Sequence, residues 1–165
     1  IFELANGGSI TLFSMVPFIL VSFRHGAKWG LFTGFVNSLL QMLLGFYAPP
    51  APGLLPLVGM ILLDYVLAFG VMGIAGLGRG KPHGIFWGSV LGGAARFVVH
   101  YISGITIYKI LAPTEIFGTV FDNPALYSLI YNGSYVGIDL VLCLVIFGIL
   151  YAPLKTYMTG ADLRR

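Results

Sequence analysis

The stretch that decides the fold runs from Leu54 to Leu77 and reads LLPLVGMILLDYVLAFGVMGIAGL. It is continuously apolar apart from Asp64, and it exceeds the roughly 20 apolar residues that a helix needs to cross a bilayer. A strand of a membrane barrel would instead alternate apolar and polar residues. The stretch therefore predicts a membrane-spanning helix with a carboxyl group inside it.

The composition of the whole chain supports an integral membrane protein. Its 165 residues are 58% hydrophobic and 9% charged, with a mean hydropathy of +0.92, whereas soluble domains are about 25% charged. The net charge of +3 comes from residues scattered at loop ends, so nucleic acid is not a predicted partner. With a single cysteine, Cys143, no internal disulfide is possible. We interpret residues 1–165 as one integral-membrane domain.

Four other apolar segments resemble the first, and together they predict an all-α, polytopic transmembrane bundle of five helices. Their predicted bounds are Ile10–Phe23, Trp29–Phe46, Gly84–Tyr108 and Ala125–Tyr151. The segment Ile10–Phe23 is short for a full span, which predicts a tilted or partly re-entrant helix. Proline-rich breaks separate the second helix from the third and the fourth from the fifth, and the longest loop precedes Pro124.

The basic residues lie on alternate loops, which predicts the topology. They are Arg24 and Lys28, then Arg79 and Lys81, then Lys155, Arg164 and Arg165. The positive-inside rule puts these loops and the C-terminus in the cytoplasm of a multi-pass protein of the cell membrane. Residues 1–9 would then be external, so we expect a six-helix parent whose first helix is absent from this chain.

Four ionisable residues lie inside the predicted helices: Asp64, Arg96, His100 and Asp139. A charge at bilayer depth costs about 2.5–3.5 kcal/mol unless it faces a polar interior. Arg96 and His100 are four apart and share a helix face, and Asp64 and His100 both lie within about 15 Å of the outer boundary. This predicts a polar pocket, with a structural Asp64–Arg96 ion pair as the alternative. Asp139 is deeper, which indicates a structural or partner-facing role.

The sequence contains no motif of an enzyme or a metal site. It lacks a phosphate-binding loop, a zinc-protease helix motif and a nucleophile elbow, and its three histidines have no metal-ligand spacing. We predict no catalytic residues, no metal and no cofactor. Two other readings stay open: an enzyme using Asp64 and His100 as acid and base, and a purely structural assembly subunit.

Glycines recur at four-residue spacing in two rows. The rows are Gly26, Gly30 and Gly34, then Gly84, Gly88 and Gly92. Such rows let helices approach closely in lipid. They predict packing within the chain or, alternatively, a face for a partner protein.

Several runs resemble a known family. They are DYVLAF at 64–69, RFVVHYISG at 96–104, YSLIYNG at 127–133 and FRHG at 23–26. With them the chain resembles, over essentially its whole length, the thiamine-specific S-component of energy-coupling factor transporters (the ThiT/YuaJ-like family). The resemblance implies a prokaryotic, non-enzymatic subunit that binds thiamine in an outward-facing pocket. It also implies a transmembrane coupling subunit and two ATPase subunits as partners. Uptake would be driven by ATP, which the partner subunits use and this chain does not. A subunit for another small nutrient, such as a thiamine precursor, is the alternative.

The same resemblance implies site residues. In the family, the residues that contact the vitamin are an acidic residue followed by Tyr, a His, and a Tyr-x₄-Asn pair. By motif these positions correspond to Asp64, Tyr65, His100, Tyr127 and Asn132. Asp64 stands where some relatives carry Glu. Asn37 and Tyr108 occupy positions that can hold stacking tryptophans, so we include both in the site and expect Tyr47 or Tyr101 to compensate.

Overall fold

Helices make up most of the protein, as a computed structural model shows for residues 2–3, 9–10, 13–49, 51–108, 114–116 and 118–163. These residues form five helical segments, as the sequence predicts. They are α1 (Met15–His25), α2 (Ala27–Leu44), α3 (Leu54–Gly78), α4 (Gly84–Thr106) and α5 (Pro124–Met158), followed by a 3₁₀ turn at Ala161–Leu163. Arg164 and Arg165, which entered the topology prediction, lie outside the described residues, as do most of residues 1–9.

Two short antiparallel strand pairs accompany the helices, and the sequence analysis missed both. β1 (Phe2–Glu3) pairs with β2 (Ser9–Ile10), and β3 (Thr114–Ile116) pairs with β4 (Thr119–Phe121) in the loop before α5. Strands of two or three residues are too short for an alternating pattern to be visible in a sequence. The prediction that the first helix begins at Ile10 was wrong, since that residue lies in β2 and α1 begins at Met15.

Helix α3 changes its winding along its length. It is α-helical over Leu54–Met60, π-helical over Ile61–Leu67, α-helical over Ala68–Gly70 and 3₁₀ over Val71–Gly78. The π-helical segment contains Asp64 and Tyr65. Such segments are rare and frequently occur at functional sites.

Helix α5 begins at a capped proline and runs further than predicted. The Asn123 side chain accepts hydrogen bonds from the backbone N–H groups of Ala125 and Leu126, and Pro124 takes the first helical position. The predicted end at Tyr151 was wrong. The helix continues through Pro153 to Met158 and accommodates the proline by a kink at Leu154, with φ −113° and ψ 18°.

Three helical stretches of the described chain are long and apolar enough to cross a bilayer: Leu54–Gly78, Gly84–Thr106 and Pro124–Leu163. Helix α1 has 11 residues, which rise about 16 Å against a hydrocarbon core of about 30 Å. Its shortness agrees with the expectation for the first segment.

Both glycine rows pack against α3. A Cβ atom added at Gly34 would come within 2.6 Å of the carbonyl carbon of Phe69, and one at Gly88 would come within 2.5 Å of the carbonyl oxygen of Ala75. These distances are too short for any side chain, so the glycines let α2 and α4 approach the backbone of α3. The glycines inside the helices therefore serve packing within the chain, whereas Gly26 precedes α2 and a Cβ atom there would lie 4.0 Å from Arg79 Nη1.

The basic loops meet at one end of the bundle. Arg24 at the end of α1 binds Asp162 after α5, with 3.0 Å between Nη2 and Oδ2, and it also donates to the carbonyl of Tyr157. His83 before α4 stacks on Tyr151 of α5 with 6.0 Å between ring centroids. The main buried core lies between α1, α3, α4 and α5 and includes Met15, Ile19, Met72, Ile85, Cys143 and Phe147.

Candidate functional site

A cavity of about 530 Å³ opens at the other end of the bundle, and its wall takes residues from all five helices. The seven residues that the sequence and the resemblance nominate all lie in this wall: Asn37, Asp64, Tyr65, His100, Tyr108, Tyr127 and Asn132. The predicted convergence of these polar groups on one pocket is therefore present in the fold. The volume lies in the range typical of small-molecule sites.

Asp64 is held by two side chains of α4. Its Oδ1 lies 3.0 Å from His100 Nδ1, and its Oδ2 accepts a hydrogen bond of 2.6 Å from the hydroxyl of Ser103. Hydrogen bonds to a carboxylate are shorter and stronger than those between neutral groups. They orient the carboxylate within the cavity wall.

The alternative pairing of Asp64 with Arg96 was wrong. Arg96 instead binds Asp139, with 3.4 Å between Nη1 and Oδ2, and Ser14 donates to the same oxygen at 3.0 Å. Arg96 precedes His100 by one helical turn, which places it level with Asp139 rather than with Asp64. Asp139 is fully buried, so it lies inside the chain and does not face a partner.

Asn132 ties α5 to α4 beside His100. Its Nδ2 donates to the carbonyl of His100 at 3.3 Å and to that of Ser128 at 2.9 Å. Its Oδ1 accepts a hydrogen bond of 2.9 Å from the hydroxyl of Tyr135. Asn132 thus fixes the position of the α4 backbone at the site.

One wall of the cavity is a face of three tyrosines on α5: Tyr127, Tyr131 and Tyr135. The first two rings are stacked, with centroids 5.5 Å apart, and the second and third meet edge to face at 5.7 Å. The sequence analysis identified Tyr127 alone. The four-residue spacing of the three contained the signal, since such residues share a helix face.

Tyr47, rather than Tyr101, joins the aromatic lining. The backbone N–H of Tyr47 donates to the hydroxyl of Tyr65 at 3.0 Å, and both residues line the cavity. The ring of Tyr101 instead stacks on Phe97, with centroids 6.2 Å apart. Tyr47 and Tyr101 were the two residues expected to compensate for the replacements at Asn37 and Tyr108. Of these two, Tyr47 lies in the cavity wall.

Helix α2 contributes a polar stripe. Asn37 and Gln41 are one turn apart and both line the cavity. Among the described residues, neither Asn37 Nδ2 nor His100 Nε2 has a hydrogen-bond partner, although both atoms are buried. An unpaired buried polar atom costs about 1–3 kcal/mol, so each would gain from a hydrogen bond to a ligand.

Several further residues of the wall, both small and apolar, were not nominated by the sequence analysis. They lie in or next to the five helices and include Ser14, Pro17, Phe18, Gly45, Met60, Phe69, Gly104 and Ser128. No pattern in the sequence sets them apart, because only the packing of the helices decides which small and apolar side chains reach the cavity.

The chemistry of the wall suits an organic cation with hydrogen-bonding groups. It combines a carboxylate, several aromatic faces, an imidazole, amides and the guanidinium of Arg96, which is paired with Asp139. Within the described part of the chain, no group of three or more His, Cys, Asp or Glu side chains could hold a metal ion.

Comparison with known proteins now identifies the family. The family model described as thiamine transporter protein (Thia_YuaJ) matches residues 1–158. The chain belongs to the thiamine transporter (Thia_YuaJ) family. This confirms the resemblance drawn from the sequence and the prediction that the chain is a transport protein of the membrane and not an enzyme.

Two curated relatives within the thiamine transporter family give the extent of the similarity. The thiamine transporter ThiT of Bacillus subtilis is 31% identical over 166 residues, covering 90% of this chain and 78% of the relative. The thiamine transporter ThiT of Lacticaseibacillus paracasei is 30% identical over 163 residues, covering 91% and 77%.

A solved structure supports the fold. ThiT from Listeria monocytogenes superposes with a TM-score of 0.73 at 20% identity, covering 96% of this chain and 85% of that one. At this identity the likeness shows the architecture, and it confirms the predicted all-α membrane bundle.

Proposed function

We propose that this chain is the substrate-binding subunit of an energy-coupling factor importer and that it binds thiamine in the cavity. The observation that carries the proposal is the convergence of the seven nominated residues, with Asp64 among them, on one cavity. Membership of the thiamine transporter family supports the choice of ligand.

The wall complements both parts of thiamine. The carboxylate of Asp64 can balance the fixed charge of the thiazolium or accept hydrogen bonds from the aminopyrimidine. The rings of Tyr65, Tyr108 and Tyr127 provide stacking and cation–π attraction of about 0.5–2 kcal/mol each. Asn37, His100 and Asn132 complete the proposed contacts with polar groups.

A titration calorimetry panel on the detergent-purified protein tests the ligand. The panel contains thiamine, its aminopyrimidine half and its hydroxyethylthiazole half. Saturable submicromolar binding of thiamine, with weaker binding of each half, would support the proposal. Tighter binding of one half would favour a precursor as the substrate, and saturable binding of none would favour a structural subunit.

We further propose that the cavity opens to the outside of the cell. It lies at the end of the bundle opposite Arg24, Arg79 and Lys155, and the positive-inside rule puts those residues and the C-terminus in the cytoplasm.

Cysteine labelling tests this orientation, because Cys143 is the single native cysteine. In a Cys143→Ser background, Thr119→Cys should react with a membrane-impermeant maleimide in intact cells. Thr156→Cys, exposed at the other end, should react only after permeabilisation. The reverse pattern would place the cavity inside.

Import requires partner subunits in this proposal, because the sequence has no ATP-binding loop. Proteoliposomes that contain the chain alone should bind labelled thiamine without accumulating it. Adding a transmembrane coupling subunit, two ATPase subunits and ATP should produce accumulation. Concentrative uptake by the chain alone would contradict the coupling model.

A further inference from the structure

The cavity wall contains one acidic and one basic side chain. Asp64 and Arg96 both line it, and counted alone they would leave the wall without net charge. A third ionisable group lies directly behind the wall. Asp139 does not line the cavity, but its Oδ2 is 3.4 Å from Arg96 Nη1.

The Arg96–Asp139 pair is shielded from solvent. Arg96 is 5% exposed and Asp139 is fully buried. The guanidinium also lies over the rings of Phe69 and Tyr135, at 5.2 and 5.9 Å from their centroids. Buried charges are weakly screened, so each acts on a ligand several ångströms away.

We propose that Asp139 sets the charge selectivity of the cavity by neutralising Arg96. The carboxylate of Asp64 then dominates the field at the ligand, and the cavity prefers the thiamine cation over thiamine monophosphate, whose phosphate adds negative charge. The proposal rests on the proposed function, since it concerns which form of that substrate the same cavity accepts.

Asp139 is a positioning and charge-compensating residue in this proposal, because it touches Arg96 and not the ligand. A purely structural role predicts that its loss weakens both ligands together. Charge compensation predicts opposite effects on the two ligands. The ratio of their dissociation constants therefore separates the two roles.

The test is calorimetric titration of thiamine and thiamine monophosphate into wild-type protein and Asp139→Asn. The neutral amide leaves the guanidinium of Arg96 uncompensated beside the ligand. We expect the preference for thiamine over its monophosphate to fall by about tenfold or more. The double variant Arg96→Gln/Asp139→Asn removes both charges and should return the ratio to within about threefold of wild type.

A matched control is Asp162→Asn, because Asp162 also pairs with an arginine, Arg24, but at the opposite end of the bundle. It should leave the ratio unchanged. If Asp139→Asn does not fold, Arg96→Gln and the double variant replace it as a pair. The double variant should then show a weaker preference for thiamine than Arg96→Gln does, because it lacks the carboxylate of Asp139.

The outcomes are distinct. Wild-type protein that binds neither ligand refutes the proposed function together with this inference. Wild-type protein that binds thiamine, with the same ratio in folded Asp139→Asn, refutes the inference alone. A ratio shift of the same size in Asp162→Asn also refutes it, since the effect would then not come from the cavity.

Discussion

Asp64 and His100 are 36 residues apart in the chain, and their side chains meet with 3.0 Å between Oδ1 and Nδ1. The contact joins the π-helical segment of α3 to the C-terminal half of α4 within the cavity wall. It holds a carboxylate in the cavity wall, and it leaves Nε2 as the imidazole nitrogen with no partner among the described residues.

Replacing Asp64 by Asn should weaken thiamine binding by about tenfold to a hundredfold, the factor expected for a hydrogen bond to a charged group. The amide retains the shape of the side chain and can still accept from Ser103, so the midpoint of thermal unfolding should change little. Calorimetry and thermal unfolding in the same detergent measure both. Unchanged affinity in folded Asp64→Asn would remove this residue from the binding site.

Because the two side chains touch, Asp64→Asn and His100→Ala should not be additive. A double-mutant cycle on thiamine affinity should give a coupling free energy of about 0.5–3 kcal/mol. A second cycle that combines Asp64→Asn with Asp162→Asn, at the far end of the bundle, is the control and should give a value near zero. Additive effects in the first cycle would mean that the contact does not act as a unit in binding.

The ionisable residues of the candidate site could be predicted from their cost in a bilayer, whereas Asn37, Tyr65 and Tyr108 were nominated through the resemblance to the family. An ionisable residue such as Asp64 or His100 is costly in an apolar helix unless it faces a polar interior. The pairing of Arg96 could not be predicted in the same way. Which carboxylate it reaches depends on the rotation and depth of α4 against α3 and α5, and only packing fixes these.

The helices themselves were predictable from continuous apolar runs, whereas their local details were not. The π-helical turn at Ile61–Leu67 leaves no mark on the apolar pattern of the sequence. The continuation of α5 past Pro153 could not be predicted, because an interior proline either ends a helix or kinks it and the local sequence does not decide between the two. Tyr131 and Tyr135 carried a detectable signal, because they repeat the helix face of Tyr127 at four-residue spacing.

Asn132→Ala should lower stability as well as affinity, because its amide group bonds α5 to the backbone of α4 at His100. The substitution removes these buried hydrogen bonds and also the acceptor of the Tyr135 hydroxyl. It should reduce the free energy of unfolding by about 1–3 kcal/mol. Ser134→Ala is the control, since its hydroxyl bonds the carbonyl of Tyr131 within α5 itself. Thermal unfolding that matches wild type in Asn132→Ala would contradict this role.

Gly34→Ala should separate α2 from α3 and damage the cavity. The added methyl group would come within 2.6 Å of the carbonyl carbon of Phe69 and 2.8 Å of the nitrogen of Gly70, and backbone atoms cannot yield as a flexible side chain can. Overpacking of this kind costs about 1–3 kcal/mol. Asn37 lies one turn further along α2, in the cavity wall, so thiamine affinity should fall together with the unfolding temperature.

The matched control for Gly34→Ala is Gly148→Ala on α5, where an added Cβ would meet none of the described atoms within 4 Å. Alanine is favoured over glycine in a helix by about 1 kcal/mol, so this variant should be unchanged or slightly more stable. Thermal unfolding and calorimetry on the two variants separate close helix packing from a general effect of alanine. Equal behaviour of the two would contradict the contact between α2 and α3, because a helix pair with room for a methyl group at Gly34 cannot be in backbone contact there.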